Sequence, residues 1–462
     1  MEMHYQKLFE KGYIGGVEIR NRVAMTAMGN GLASWDGEAS PELIRFYEDR
    51  ARGGCGLIFT EFTRVDETSG ACNPNQLCIA TRKHVRSVQR MAERVHRHGA
   101  RIFVQLHHGG REAPPALNDG KQPMGPSAIL NKVNGLVSTE MTKEEIGYII
   151  KKFVAAAVNC QKAGIDGVEL HAAHGYLLGS FISPYTNKRT DEYGGSVQNC
   201  CRIVTEIING IRAACGRYPI CVRINGSDFV EGGITLAYAV EVAKTLEAAG
   251  ADALNVSCAV YETVPNMIEP NYYEEGWRKE LAKTVKAHVK IPVIAVNTIK
   301  FPATAEKLLE EGVSDFVGVS RGQMADPEWV NKARAGREDL IRKCMGCMQC
   351  NKSVVQDGYL SCAANPVTGR GTMYNDEYLI RSGAGRNVVV IGGGPAGMQA
   401  AITLAKRAFH VILLEQKSYL GGMAYLATVP PHKTMVAEFI KTLEAEMKEL
   451  GVDVRMNVTA DG

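Results

Sequence analysis

Over the first 340 residues, short apolar runs alternate with longer amphipathic segments. The runs are RVAMTAM (22–28), GLIFTEF (56–62), RIFVQLH (101–107), GVELH (167–171), PICVRI (219–224), DALNVS (252–257), IPVIAV (291–296) and DFVGVS (315–320), each followed by small or polar residues. Between them lie helix-length stretches with apolar residues at three- and four-residue spacing, such as LAYAVEVAKTLEAAG (236–250) and TAEKLLEEG (304–312). Parallel neighbours need a crossover connection and a helix is the usual one, so eight strand-and-helix units predict an α/β fold built on a (β/α)8 TIM barrel. An open doubly wound sheet is the competing arrangement.

In a barrel the chemistry belongs at the C-terminal ends of the strands. Gln105, His107 and His108 fall at the end of the third run, His171 and His174 at the fourth, Arg223 in the fifth, Asn297 after the seventh, and Ser320 and Arg321 at the eighth. The insertion 109–136, rich in Gly, Pro and Asn, is expected to lie over the mouth as a substrate lid. After residue 338 the pattern changes to a cysteine-rich segment, then to a polar stretch, then to NVVVIGGGPAGMQAAITLAKRAFHVILLEQ, which reads as strand, tight turn, helix and strand. The expected division is a barrel over 1–338, a cysteine segment and linker over 339–385, and the first part of a Rossmann-like domain over 386–462.

Composition narrows the function classes. Apolar residues make up 45% and charged residues 22%, which excludes wholesale disorder. There are 53 Lys and Arg against 50 Asp and Glu, scattered along the chain, so neither nucleic acid nor an anionic membrane is expected as a partner. The N-terminal MEMHYQKLFEKGYIGG lacks the apolar core of a secretion signal, and no stretch approaches the ~20 apolar residues of a membrane span. Thirteen cysteines, odd in number and irregularly spaced, read as mostly reduced thiols, so the expectation is a cytoplasmic enzyme with a small-molecule substrate. Homo-oligomerisation stays open.

Three motifs carry chemistry. Gly392-x-Gly394-x-x-Gly397 lies between an apolar strand and a helix, with Glu415 closing the next strand. The glycines admit a pyrophosphate to a helix N-terminus and the acid accepts from a ribose, and Gly421-Gly422 shortly afterwards favours FAD over NAD. Cys344-x-x-Cys347-x-x-Cys350 with Cys362 supplies four thiolates from one loop and one distant position. That suits an iron–sulfur cube, with structural zinc as the alternative. Third, His171-Ala-Ala-His174-Gly-Tyr176 places two imidazoles and a phenol past the fourth strand, a set able to polarise a carbonyl oxygen and deliver a proton to a nearby carbon. Arg223 can stabilise the anionic edge of a reduced flavin and Gln105 can hydrogen-bond its pyrimidine ring, while Asn297, Ser320 and Arg321 sit where barrels hold a phosphate.

On the segments NRVAMTAM, VQLHHGGR, ELHAAHGYLLGSFISPYTNKRTDEYGGS, VSRGQMADPEW, CMGCMQC with Cys362, and VVVIGGGPAGMQAA, the chain resembles the iron–sulfur flavoenzyme branch of the Old Yellow Enzyme superfamily. That branch includes 2,4-dienoyl-CoA reductase, enoate reductases and trimethylamine dehydrogenase. The resemblance implies FMN held by Gln105, Arg223, Asn297, Ser320, Arg321 and the backbone at Ala27. It implies a [4Fe–4S] cluster on Cys344, Cys347, Cys350 and Cys362, and FAD on Gly392, Gly394, Gly397 and Glu415. It further implies electrons passing from NAD(P)H to an activated alkene, an α,β-unsaturated carbonyl compound held by His171 and His174. In the dienoyl-CoA reductases a His stands near the position of Tyr261, so the proton donor is either Tyr176 or Tyr261. Members of the branch are longer, and a chain ending at Gly462 reads as a fragment expected to hold FMN and the cluster but to bind FAD poorly. An amine dehydrogenase of the trimethylamine dehydrogenase type is the alternative; that enzyme has a cysteinyl-linked FMN and a Tyr where His171 stands, whereas residues 25–31 here contain no cysteine. A flavin redox sensor or electron carrier without turnover is the alternative outside catalysis.

Overall fold

The computed structural model describes residues 4–296 and 298–460. Eight parallel strands close a barrel: β1 (Val23–Met25), β2 (Leu57–Arg64), β3 (Arg101–His107), β4 (Gly167–Ala172), β5 (Ile220–Asn225), β6 (Ala253–Ser257), β7 (Val293–Val296) and β8 (Phe316–Gly318), with β8 pairing back on β1. The crossovers include α1 (Pro41–Arg52), α2 (Arg82–His96), α3 (Lys143–Lys162), α4 (Arg202–Cys215), α5 (Leu236–Ala248), α6 (Lys279–Lys286), α7 (Pro302–Glu310) and α8 (Trp329–Arg334). The open-sheet alternative is thereby excluded.

The longest crossover helix, α3, shows why these segments fold as they do. Thr142 Oγ1 accepts from the Glu145 amide at 3.2 Å and Glu145 Oε2 accepts from the Thr142 amide at 2.8 Å, a reciprocal cap that fixes its start. From there Ile146, Ile149, Phe153, Ala156, Ala157 and Cys160 recur on one face and are buried. Full burial of an Ile or Phe is worth about 1.5–3 kcal/mol, so this face dominates the helix's stability. The first and eighth runs are shorter as strands than the apolar pattern predicts, three residues each. Past Met25 and Gly318 side-chain bonds replace the ladder: Ser320 Oγ accepts from the Thr26 amide and donates to the Thr26 carbonyl, both at 3.1 Å.

The barrel floor is apolar and its upper layer is polar. A hairpin (Gly12–Ile14 with Val17–Ile19) plugs the bottom, packing Ile14 and Ile19 against Phe59, Phe103, Ile294 and Phe316. Above this layer the fully buried Glu169 accepts from Gln105 Nε2 at 2.6 Å and Asn255 Nδ2 at 2.8 Å. Burial raises the Glu169 carboxyl above its ordinary range.

A second unit follows, with β9 (Asn387–Ile391), β10 (His410–Glu415) and β11 (Asp453–Met456) parallel in that order, and helices α9 (Pro395–Lys406) and α10 (Thr434–Glu449). Its core is Met398, Ala401, Ile402, Val411, Leu413, Leu443 and Met447. It is joined to the barrel side through α10, where Arg342 forks onto both Glu446 carboxylate oxygens at 2.6 and 2.7 Å. Among the described residues no helix is long and apolar enough to cross a membrane.

Candidate active site

A cavity of about 250 Å³ opens at the C-terminal ends of the barrel strands. It brings together Ala27, Gln105, His171, His174, Tyr176, Arg223, Tyr261, Ser320 and Arg321, residues that the sequence places on six different strands and loops. Asn297 lies outside the described residues.

Among the described residues three side-chain polar atoms of the cavity lining have no hydrogen-bond partner, and Thr298 Oγ1 is one of them. Gln105 donates from Nε2 to Glu169, leaving its own Oε1 buried without a hydrogen bond, and Arg223 has a buried, unpartnered Nε. An acceptor beside a guanidinium matches the N–H and carbonyl edge of a flavin pyrimidine, so these residues fit the group the sequence suggests. Further cations line the cavity, Arg278, Lys300 and Arg321, and Glu269 is the acid among its described lining residues. Glu269 is already committed, pairing with Arg278 at 2.9 Å and Arg321 at 3.0 Å. Arg278, Lys300 and Glu269 were not legible as site residues in the sequence, because the loop after β6 that supplies two of them has no motif.

The imidazoles form a chain. His107 Nδ1 lies 3.1 Å from His171 Nδ1, His171 Nε2 lies 3.0 Å from His174 Nδ1, and His174 Nε2 lies 2.7 Å from Ser257 Oγ. Burial, followed by the neighbouring imidazoles for His171 and by Arg223 and Arg278 for His174, pushes both well below 6.5, and burial does the same for His107. All three are therefore neutral at ordinary pH. His174 has a positive φ of 63°, a conformation rare outside glycine, and Gly175 follows at 79°. This strained turn at the end of β4 brings the His174 ring back against His171. His108 turns the other way, bonding Ser69 Oγ at 3.0 Å and accepting from the Gly110 amide at 3.1 Å, and is a structural residue.

Beside the imidazoles the hydroxyls of Tyr176 and Tyr261 are 2.6 Å apart. The Tyr176 ring packs on His107 and His171 with centroids at 4.5 and 4.8 Å. Burial first, then the neighbouring phenol, keeps Tyr176 protonated well above 10; burial does the same for Tyr261. Behind the pair lies a cluster that sequence reading missed. Arg111, in the insertion after β3, bonds Glu262 at 2.7 Å, and Glu112 is pushed up to about 7, chiefly by burial. The tie runs from that insertion to the residue after Tyr261, and so fixes it to the loop that carries one of the two phenols; none of the residues 109–136 lines the cavity, so the expected lid is not seen at its wall.

The four motif cysteines are free and line one small cavity. Cys344, Gly346, Cys350, Arg321 and Met324 line this cavity and the large one alike, so the two share a wall. Among the described residues no three His, Cys, Asp or Glu side chains are close enough to hold a single metal ion. Four thiols lining one void are a donor set that a [4Fe–4S] cluster would take and that a tetrahedral zinc would also accept.

In the second unit Gly392 turns with φ 97°, and a Cβ on Gly397 would fall 2.0 Å from the Gly392 carbonyl oxygen. Gly394 caps α9, whose N-terminus faces the turn. Glu415 accepts from the Gly393 amide at 2.7 Å and the Lys417 amide at 2.9 Å, and these bonds, led by that from Lys417, hold it below the ordinary carboxylate range. Carboxylate lone pairs remain for a ribose, which fits a dinucleotide.

Residues 7–340 match the NADH:flavin oxidoreductase / NADH oxidase family, and residues 387–456 match the FAD dependent oxidoreductase family. The chain is 47% identical over 461 residues to an NADH oxidase of Thermoanaerobacter brockii, covering 99% of this chain and 70% of that protein. It is 34% identical to a cinnamate reductase of Clostridium sporogenes, covering 100% and 72%. Among solved structures, a 2-naphthoyl-CoA reductase in complex with 2-naphthoyl-CoA superposes with a TM-score of 0.94 at 29% identity, covering 99% of this chain and 71% of that one. Histamine dehydrogenase from Rhizobium sp. 4-9 superposes with a TM-score of 0.90 at 28% identity, covering 99% and 66%. With a flavin-type barrel matched over most of its length and an FAD-type module after it, this chain is an oxidoreductase that belongs to the NADH:flavin oxidoreductase / NADH oxidase family, in the Old Yellow Enzyme-like branch.

Proposed function

We propose that this protein reduces the C=C bond of an α,β-unsaturated carbonyl compound, an enoyl-CoA, enoate or enone, with NAD(P)H as the source of electrons. The observation that carries the reading is the pair of buried, neutral imidazoles whose facing nitrogens are 3.0 Å apart beside a phenol pair. When a carbonyl oxygen displaces the bond between them, N–H groups on both rings can share that oxygen, drawing electron density from the β-carbon. FMN at Gln105, Arg223, Ser320, Arg321, Asn297 and the Ala27 backbone would supply hydride to that carbon. Tyr176, neutral and facing the cavity, delivers the proton to the α-carbon. Cys344, Cys347, Cys350 and Cys362 would hold a [4Fe–4S] cluster, and Gly392, Gly394, Gly397 and Glu415 would hold FAD.

The amine reading draws support from histamine dehydrogenase and the demethylases among the relatives. Against it, the paired imidazoles have no carbonyl to bind in an amine, and Glu269, the acid among the described lining residues, is already paired with two arginines. The test is to reduce the flavin-loaded protein anaerobically with dithionite and mix it with cinnamate, a cyclic enone, and oxygen in turn. Reoxidation by cinnamate or enone within seconds supports the reading; reoxidation by oxygen alone, or bleaching of oxidised protein by histamine or trimethylamine, removes it.

The pH profile of that alkene half-reaction follows from the site. The imidazoles stay neutral and the phenols protonated from pH 6 to 9, so neither gives a limb. Glu112 gains its charge as pH rises through about 7, and a carboxylate near the phenols makes them weaker acids. The rate is expected to decline across neutral pH by less than about tenfold, one unit of phenol acidity at most, and Glu112→Gln should flatten it. A steep loss below pH 6 would instead mean that an imidazole titrates.

A further inference from the structure

We infer that Ser257 is a positioning residue that fixes the tautomer of His174, so that one of the two carbonyl donors is set before any substrate arrives. The inference deepens the ene-reductase reading and rests on it for the identity of the oxygen, though not for the tautomer. Ser257, the last residue of β6, is buried, and among the described residues its hydroxyl has two partners. One is the Arg223 guanidinium, whose Nη2 lies 3.4 Å from Oγ. The other is His174 Nε2 at 2.7 Å.

A hydroxyl does not aim its hydrogen at a cation, so Ser257 Oγ presents a lone pair to Arg223. Among the described residues its hydrogen then has a single acceptor in reach, His174 Nε2. If His174 carried its proton on Nε2 instead, that hydrogen would be buried without a partner, at a cost of about 1–3 kcal/mol. The proton of the neutral His174 is therefore on Nδ1, the nitrogen facing His171.

The rest of the chain follows in one direction. His174 Nδ1–H donates to His171 Nε2, which leaves the His171 proton on Nδ1, donating to His107 Nδ1 at 3.1 Å. The His107 proton is then on Nε2, 3.6 Å from Cys72 Sγ. A carbonyl oxygen entering between His171 and His174 finds the His174 donor ready. The second bond needs the other tautomer of His171, with its proton on Nε2 and its Nδ1 accepting from His107 Nδ1–H. The two imidazoles are thus not equivalent: Ser257 presets His174 Nδ1 as a donor, and the same network leaves His171 Nε2 as an acceptor.

The experiment is 15N NMR of protein carrying 15N-labelled histidine, flavin-loaded and oxidised, with His174 assigned by its loss in His174→Gln, together with titration of 4-hydroxybenzaldehyde as a carbonyl-mimicking phenol. The expected result is that His174 shows an Nδ1–H pattern in the parent protein. In Ser257→Ala that pattern is lost and phenol affinity falls about tenfold or more, the effect of one hydrogen bond to a charged acceptor. Ser257→Thr, which keeps the hydroxyl, restores both. An Nε2–H pattern for His174 in the parent, or unchanged pattern and affinity in Ser257→Ala, overturns the inference. The parent spectrum decides even if the alanine variant fails to fold. Should the parent show the Nδ1–H pattern and yet no alkene reoxidise the reduced protein, the positioning role stands and the ene-reductase reading falls.

Discussion

Tyr176→Phe is expected to slow reoxidation of the reduced protein by an alkene by about 10²- to 10⁴-fold, the usual contribution of a general acid, with alkene affinity nearly unchanged. Tyr261→Phe is expected to slow it by about tenfold to a hundredfold. The two phenols are hydrogen-bonded at 2.6 Å but are not placed alike. Tyr176 is buried against His107 and His171, where the substrate carbonyl is proposed to sit, whereas the Tyr261 ring lies on its far side at 5.7 Å and is partly exposed. When Tyr176 gives up its proton its oxygen becomes a phenolate, and Tyr261 then donates to it. A bond to a charged acceptor is worth about 1.5–3 kcal/mol, which sets the smaller effect. Because the second phenol acts through the first, the double variant should be no slower than Tyr176→Phe alone. Single-turnover mixing of the three variants with cinnamate measures this. A larger loss in Tyr261→Phe than in Tyr176→Phe would exchange the two roles.

That the pair exists was not legible in the sequence. Tyr176 was singled out by its neighbours His171 and His174, and Tyr261 only by position relative to a resembling family; nothing in one dimension says that their oxygens meet. The barrel was legible because its signal is local: RIFVQLH is β3 from end to end, and its apolar positions face either the floor or the helices. The wall of the site was half legible for the same reason. Residues at strand ends such as Gln105, His171 and Arg223 could be read from the register, since strand ends are where a barrel keeps its chemistry. Ser257 sits at a strand end too, yet a serine there carries no signal of its own until Arg223 is seen at one side and His174 at the other. Arg111, Glu112 and Glu262 were out of reach, because their significance is a long-range ion pair between two loops that share no pattern.

Cys362→Ala is expected to bring iron from about four atoms per chain, the content of a four-thiolate cube, to near zero, and to bring NAD(P)H-driven alkene reduction to background, while flavin stays bound to the barrel. The choice of cysteine matters. Cys344 and Cys350 line the large cavity as well as the small one, so removing either also disturbs the flavin side, whereas Cys362 lines only the small cavity. The surrounding segment has its own anchors: Asn365 Nδ2 donates to the Ala325 carbonyl at 2.9 Å, Thr368 Oγ1 to the Met324 carbonyl at 2.7 Å, and Arg342 Nη1 to the Ala364 carbonyl at 3.2 Å. These bonds do not involve a metal, so the variant should keep its fold and its barrel. Reduced by dithionite, it should therefore still be reoxidised by an alkene at the parental rate, because His171, His174 and Tyr176 are untouched. Iron, zinc and flavin assays on anaerobically purified parent and variant, with both rates measured on the same samples, check the claim. Zinc in place of iron in the parent would make the cysteine site structural, and undiminished NAD(P)H-driven turnover in an iron-free variant would mean that electrons reach the barrel without passing the shared wall at Arg321 and Cys350.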